Sequence, residues 1–405
     1  MNINERQIDL LHIIEKLDIP ASLYENAVHK YKAIAKYLEN HGLIAAMYPQ
    51  GSFALGTVIR PYSKDKEKNY DLDFICQVSG NRNDTTPSEL RNQILDILNT
   101  SDLYGGKLTE YDECFTIEYA DVNGIGFSID IVPATAETPQ NIAELRSLSE
   151  YPQLIDTAIA IPRHSKQKIY NWITNNPKGY QQWFSDINTP FKIASRMSIR
   201  KSIYESNTQI YASVEDVPSE LERSSLQRVI QILKYHRDVH YSNIYDGNNI
   251  KPISAIINTL VTEIARTANP NLDVFELLEY VLKELAIYSH RQELSVDEFK
   301  KHYGARNIIV KENGKWIITN PANPKDNLAD KWNSNSDIPR RFFEWISTVE
   351  EHLINSLVLE DADFRTKAET AFGYTTVAKA WNNKYYASKP KPIPTIEPVK
   401  PWRCK

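Results

Sequence analysis

The segment YDLDFI carries Asp71 and Asp73 two residues apart. In a strand successive side chains alternate faces, so the two carboxylates project together while Leu72 and Phe74 turn to the other side. Like charges this close repel and raise a pKa unless a cation neutralises them, and paired carboxylates suit a hard divalent ion such as Mg²⁺ or Mn²⁺. A third carboxylate stands in FSIDIVPA, where Ile129 and Ile131 take one face and leave Asp130 on the other. If the two strands are neighbours, Asp71, Asp73 and Asp130 form a cluster able to hold two ions about 3.5 to 4 Å apart, the spacing used for in-line displacement at phosphorus. One ion would activate an attacking hydroxyl and the other would steady a leaving pyrophosphate.

Upstream, PQGSFALGTV places Gly51 and Ser52 at a small-residue turn. Without a side chain at Gly51, backbone N–H groups can approach phosphate oxygens, and the Ser52 hydroxyl adds a donor. The stretch is not a Walker loop, because it lacks the terminal Lys-Ser or Lys-Thr pair.

These residues need a sheet to carry them. The run Ser22 to Asn40 has apolar residues at helical spacing, with Ser22 and Glu25 reading as a capping box. Leu43 to Tyr48 reads as a strand, followed by the Gly-Ser turn and the β-rich YDLDFICQV. Pro87 to Leu98 predicts a helix with Pro87 in its first turn. CFTIEYADV and GFSIDIVPA predict a hairpin turning at Asn123 and Gly124. From Arg163 onward the periodic segments are helical, ELERSSLQRVIQILKYHRDVHY and DVFELLEYVLKELAIYSH among them. At 405 residues the chain exceeds one ordinary core. The expected division is a mixed α/β catalytic lobe with N-terminal helices over 1–162, a helical lobe over 163–387, and a proline-rich tail over 388–405.

Singly, these signals are common: a Gly-Ser pair is ordinarily a turn, and Asp-x-Asp is ordinarily a solvated strand face. In order, GSxxxxGT, YDLDF and FSIDIVP reproduce the three-part pattern of the DNA polymerase β-like nucleotidyltransferases. Within that superfamily the chain resembles the bacterial cGAS/DncV-like nucleotidyltransferases, relatives of cyclic GMP-AMP synthase and oligoadenylate synthetase. LQRVIQILKYHRD is similar to the family's Lys-bearing helix, and TNPANPKDNLADKW to its Asn-Pro repeat before Asp-x-Trp.

The resemblance implies an α+β fold, a polymerase β-like mixed-sheet lobe packed on a helical lobe, with the active site in the cleft between them. It implies a donor nucleoside triphosphate in that cleft, with Lys234 and Ser254 reaching its phosphates beside Gly51 and Ser52. The competing readings are a snorkelling surface lysine for Lys234 and a helix N-cap for Ser254. It further implies two Mg²⁺ or Mn²⁺ ions per site, held by Asp71, Asp73 and Asp130. The substrates would be ATP, with GTP or pyrimidine nucleoside triphosphates beside it. The product would be a cyclic di- or trinucleotide second messenger of antiphage defence, read by a downstream effector and governed by operon-encoded regulators. The alternatives are nucleotidyl transfer to an RNA, protein or small-molecule acceptor, and a nucleotide-binding module without activity. The charged stretch SKDKEKN lengthens the link between Ser52 and Asp71 beyond what many family members show and is expected to form a loop beside the site.

Other features exclude more than they add. A net charge of -5 argues against a protein that coats nucleic acid. Cys76, Cys114 and Cys404 are far apart, which gives neither a disulfide framework nor a counterpart of the zinc-binding cluster of the family's vertebrate DNA sensor, so DNA activation is not expected. With neither a signal peptide nor a long apolar run, a cytoplasmic protein is expected. His236 and His240 stand at zinc-ligand spacing on one helix, but Arg237 replaces the glutamate of a metalloprotease, so a packed or solvated face is the better reading. The tryptophans are expected mostly in the core. The tail ends Arg403, Cys404, Lys405 rather than in a small residue, which favours a solvated tail over one conjugated to another protein.

Overall fold

The computed structural model describes residues 2–63, 69–122, 125–164, 169–206, 222–304, 307–382 and 384–385. The helices are α1 (Ile3–Glu15), α2 (Ala21–Asn40), α3 (Gly51–Leu55), α4 (Pro87–Asn99), α5 (Pro139–Leu148), α6 (Pro177–Ser206), α7 (Ser225–Ser242), α8 (Gly247–Ile250), α9 (Ser254–Ala265), α10 (Val274–Ile287), α11 (Val296–Tyr303), α12 (Asp337–Leu353), α13 (Asp361–Phe372) and α14 (Tyr374–Trp381). The main sheet contains β1 (Ala45–Pro49), β2 (Tyr70–Asn81), β3 (Leu108–Glu110), β4 (Phe115–Val122), β5 (Ile125–Ala136), β6 (Ile159–His164) and β7 (Tyr170–Asn175). Two small hairpins, β8 (Val310–Glu312) with β9 (Lys315–Ile317) and β10 (Thr319–Asn320) with β11 (Asn323–Asn327), interrupt the helical half.

The sheet runs β1-β2-β5-β4-β3, with β6 joined to β5 and β7 to β6. Only β2 and β5 pair in parallel among these strands; the rest are antiparallel. The period-two pattern explains the two faces. Tyr70, Leu72, Phe74, Phe127, Ile129 and Ile131 are buried on one side, against Ala27, Ile34 and Leu38 of α2 and Ile94 and Leu98 of α4. The opposite face carries the carboxylates and, further along the same strands, a smaller apolar group of Ile75, Val132, Ala134, Ile159 and Ile161.

Local chemistry fixes the helix starts. Pro87 opens α4 behind a capping box in which Thr86 and Glu89 satisfy each other's backbone. Ser224 and Gln227 do the same for α7, Asp273 and Glu276 for α10, and Ser295 and Glu298 for α11. The box expected at Ser22 and Glu25 does not form: the N-cap of α2 is Pro20, two residues earlier, with no side-chain capping bond, because proline sets the extended entry itself.

Two further expectations are corrected. The sheet does not stop at residue 162: β6 crosses that position and pairs with β7 as far as Asn175, and the helical half starts with α6. Nor do both N-terminal helices belong to the sheet lobe. Leu10, Ile13 and Ile14 of α1 enter the helical core with Val229, Leu233, Phe364 and Trp381. Arg6 ties the same helix down, donating to the carbonyls of Leu357 and Leu359 and to Asp361, over the Phe364 ring. The apolar face of α1 needs a partner, and α14 and α7 supply it.

β4 and β5 pair antiparallel as expected, but the turn residues Asn123 and Gly124 lie outside the described residues, as do 64–68 of the charged stretch and the tail from 386 onward. No described helix is long and apolar enough to cross a membrane.

Candidate active site

The parallel pairing of β2 with β5 sets Asp73 opposite Asp130 and Asp71 opposite Ser128. The three carboxylates therefore share one face although 57 residues separate Asp73 from Asp130 in the chain. From the next strand, Thr116 stands opposite Asp130 and donates Oγ1 to Asp130 Oδ1 at 2.5 Å. Ser128 donates Oγ to Asp71 Oδ1 at 3.1 Å.

α3 stands directly over this face. The Gln50 N–H donates to the Asp73 carbonyl at 2.9 Å, which fastens the start of the helix to β2. Gly51 follows with φ +58, in the left-handed region, and a Cβ there would lie 2.8 Å from Asp73 Oδ2. The expected turn is thus a short helix. It ends at Gly56, also left-handed, with the Thr57 N–H donating to the Ser52 carbonyl.

The helical lobe reaches the same place through α7. Gln227, Gln231 and Lys234 fall on one stripe of that helix. Gln227 donates to the Leu55 carbonyl, Gln231 to the Val58 carbonyl and Asp18, and Lys234 Nζ to the Thr57 carbonyl at 3.1 Å. Lys234 is only 7% exposed, which removes the snorkelling reading. Ser254 is the first residue of α9 and not its cap, which is Ile253. Its hydroxyl accepts from Arg237, three residues beyond Lys234, and Arg237 also holds the Pro252 carbonyl.

The electrostatics follow from crowding and burial. The Asp73 carboxyl is pushed up to about 7, first by burial, then by Asp71 and Asp130, with Lys234 opposing. Asp130 is also raised, chiefly by burial, against the Thr116 hydrogen bond and with Asp71 adding to the rise. Lys234 is drawn down to about 8, mainly by burial and by Arg237, while Asp238 and Asp73 support its charge.

The donor set fits a hard divalent cation by type and by register: oxygen ligands only, on neighbouring strands, one of them raised to about 7 by burial and by the two carboxylates beside it. Among the described residues no three side chains converge on one metal position as they stand. The backbone register places the three ligands on one face of neighbouring strands.

Sequence reasoning missed Thr116, Ser128, Gln227 and Gln231. Ser128 lies two residues before Asp130 on one strand, so its face was readable. Thr116 depends on the β4 register and the glutamines on the docking of α7, which no local spacing reveals. His236 proves to be packed: Trp345 Nε1 donates to its Nδ1 at 3.0 Å and its Nε2 faces His352 Nδ1 at 3.1 Å. Trp183, Trp316, Trp332, Trp345 and Trp381 are buried.

This fold is that of the cGAS/DncV-like nucleotidyltransferases, and the carboxylate face is similar to what such an enzyme requires. Residues 6–146 match the family model of the Second Messenger Oligonucleotide or Dinucleotide Synthetase domain. The chain is similar to the c-di-GMP synthase of Roseivirga ehrenbergii, 23% identical over 345 residues that make up 84% of this chain and 76% of that protein. It is similar to the cyclic dinucleotide synthase CdnG of Bradyrhizobium diazoefficiens, 23% identical over 80% of this chain and 69% of that one. The structure of that CdnG in complex with GTP superposes with a TM-score of 0.65 at 19% identity, covering 93% of this chain and 98% of that one.

Proposed function

We propose that this protein joins nucleoside triphosphates into a cyclic di- or trinucleotide second messenger with release of pyrophosphate, in antiphage signalling. The observation that carries the chemistry is the Asp73 to Asp130 register pair, with Asp71 beside it and Gly51 packed on Asp73. The cyclic product is supported by the synthetase domain and by relatives named for cyclic dinucleotide synthesis.

Asp71, Asp73 and Asp130 would hold Mg²⁺ or Mn²⁺, which when bound supplies Lewis acidity to phosphate oxygens and to an incoming ribose hydroxyl. Gly51 and Ser52 bind and orient the donor triphosphate. The positive φ of Gly51 lets its backbone approach the phosphates, and the Ser52 hydroxyl donates to them. Lys234 would reach the same phosphates from α7, and its charge opposes the rise of the Asp73 pKa. Ser254 accepts from Arg237, so its own O–H is left to donate outward to an anion. ATP is the expected donor, with GTP or a pyrimidine nucleotide as its partner.

The test is incubation of the purified protein with labelled nucleoside triphosphates and Mg²⁺ or Mn²⁺, with phosphatase-resistant products resolved by chromatography and mass. A cyclic product that disappears in the Asp71→Asn, Asp73→Asn variant is expected. Product formed only on an added acceptor would move the assignment to nucleotidyl transfer. Tight nucleotide binding without turnover would make the protein a binding module.

A further inference from the structure

The two outer carboxylates of the site are each held by a hydroxyl from the adjacent strand. Thr116 on β4 stands opposite Asp130 and donates to its Oδ1 at 2.5 Å, a short charge-assisted bond. Ser128 on β5 stands opposite Asp71 and donates to its Oδ1 at 3.1 Å. Its other acceptor, the Tyr70 carbonyl, is farther at 3.5 Å. Among the described residues no side-chain donor holds Asp73, whose Oδ2 instead abuts Gly51.

We propose that Thr116 and Ser128 are positioning residues for divalent-cation binding, Thr116 through Asp130 and Ser128 through Asp71. Each hydroxyl engages one carboxylate oxygen, Oδ1 in both cases. A carboxylate on a strand can turn about two torsions, and fixing one oxygen removes most of that freedom before an ion arrives. Thr116 is only 8% exposed, so water cannot easily take over its role, whereas Asp71 is exposed and its anchor competes with solvent. The dependence should therefore be steeper for Thr116.

The inference rests on reading the three aspartates as cation ligands, and the experiment separates the two. Mn²⁺ is titrated into the full chain without nucleotide, and free Mn²⁺ is followed by electron paramagnetic resonance, with circular dichroism confirming the fold. Thr116→Val, which keeps the shape and loses the donor, should weaken Mn²⁺ binding about tenfold or more, Ser128→Ala less, and Thr116→Ser should restore it. Wild-type affinity in both Thr116→Val and Ser128→Ala, with binding lost in Asp73→Asn, overturns this proposal alone. Unchanged binding in the Asp71→Asn, Asp73→Asn variant removes the cation site and the proposal with it. Should Thr116→Val fail to fold, Ser128→Ala on the exposed side of the site decides.

Discussion

Gly51 and Asp73 make a close contact that a side chain at position 51 would disturb: a Cβ there would stand 2.8 Å from Asp73 Oδ2, on a backbone with φ +58. The clash is with the far end of a side chain, so the fold can yield where the chemistry cannot. Gly51→Ala should cost about 1 kcal/mol of stability from the left-handed backbone, a fall of a few degrees in Tm. Synthesis should drop far more, about a hundredfold, because the displaced group is the carboxylate itself. Comparable activity in the two proteins would contradict the assignment of Asp73.

The raised carboxyl predicts how cation binding depends on pH. Asp73 is pushed up to about 7, so without a cation its folded-state pKa lies above the unfolded value near 3.8. Such a group contributes stability that is present below about pH 4 and is lost as pH rises through 7. A divalent ion displaces the proton and reverses that loss. The rise in melting temperature on adding Mg²⁺ should therefore be larger at pH 8 than at pH 6, and calorimetry at pH 6 should register proton release. Asp73→Asn should show neither trend.

A second pH effect lies far from the site. His236 is held well below the ordinary histidine range by burial and by His352, and His352 is lowered to about 4, mainly by burial. Both are neutral in the folded state at pH 7, and the unfolded chain binds more protons between pH 6.5 and 4. Stability should therefore fall as pH drops through that window. Urea midpoints at pH 7.5 and 5 measure the slope, and His352→Gln, which cannot protonate, should flatten it.

The distribution of what was legible follows from the range of the interactions. Alternation along YDLDFI and FSIDIVPA identified the shared faces of Asp71, Asp73 and Asp130, because a strand writes its faces into neighbouring residues. The start of α4 at Pro87 was equally local. The α1 helix was assigned to the wrong lobe, since its partners Leu357 and Phe364 lie over 340 residues away. The Gly-Ser stretch was read as a turn because five residues are too few to show helical periodicity. Its helical course is imposed from outside, by the Asp73 carbonyl at one end and by Gln227 at the other.

The N-terminal anchor gives a prediction about stability without chemistry. Arg6 is 2% exposed and satisfies the carbonyls of Leu357 and Leu359 besides its bond to Asp361. Arg6→Ala leaves buried carbonyls without a donor and should destabilise the protein by roughly 2 to 3 kcal/mol. Denaturant unfolding measures this directly. Below the transition, the kcat of the variant should stay close to that of the parent, because α1 touches the helical core and not the carboxylate face.

Lys234 has two separable roles, and a pair of variants distinguishes them. Its ammonium holds the Thr57 carbonyl, next to α3, and its charge lowers the Asp73 pKa. Lys234→Met removes both, so the apparent pKa of Asp73 should rise, and with the repelling ammonium gone Mn²⁺ affinity at pH 8, where Asp73 is ionised, should rise as well even without nucleotide. Lys234→Arg restores the charge on a larger, forked guanidinium whose geometry differs from that of the ammonium. If the charge acts only on Asp73, Lys234→Arg should return cation affinity and triphosphate KM together to the parent values. If Lys234 also grips phosphate, the arginine variant should return cation affinity to the parent value while KM for the donor stays raised about tenfold or more. Mn²⁺ titration and initial-rate kinetics on the same preparations read the two quantities independently, and an unchanged KM in Lys234→Met would remove the phosphate role altogether.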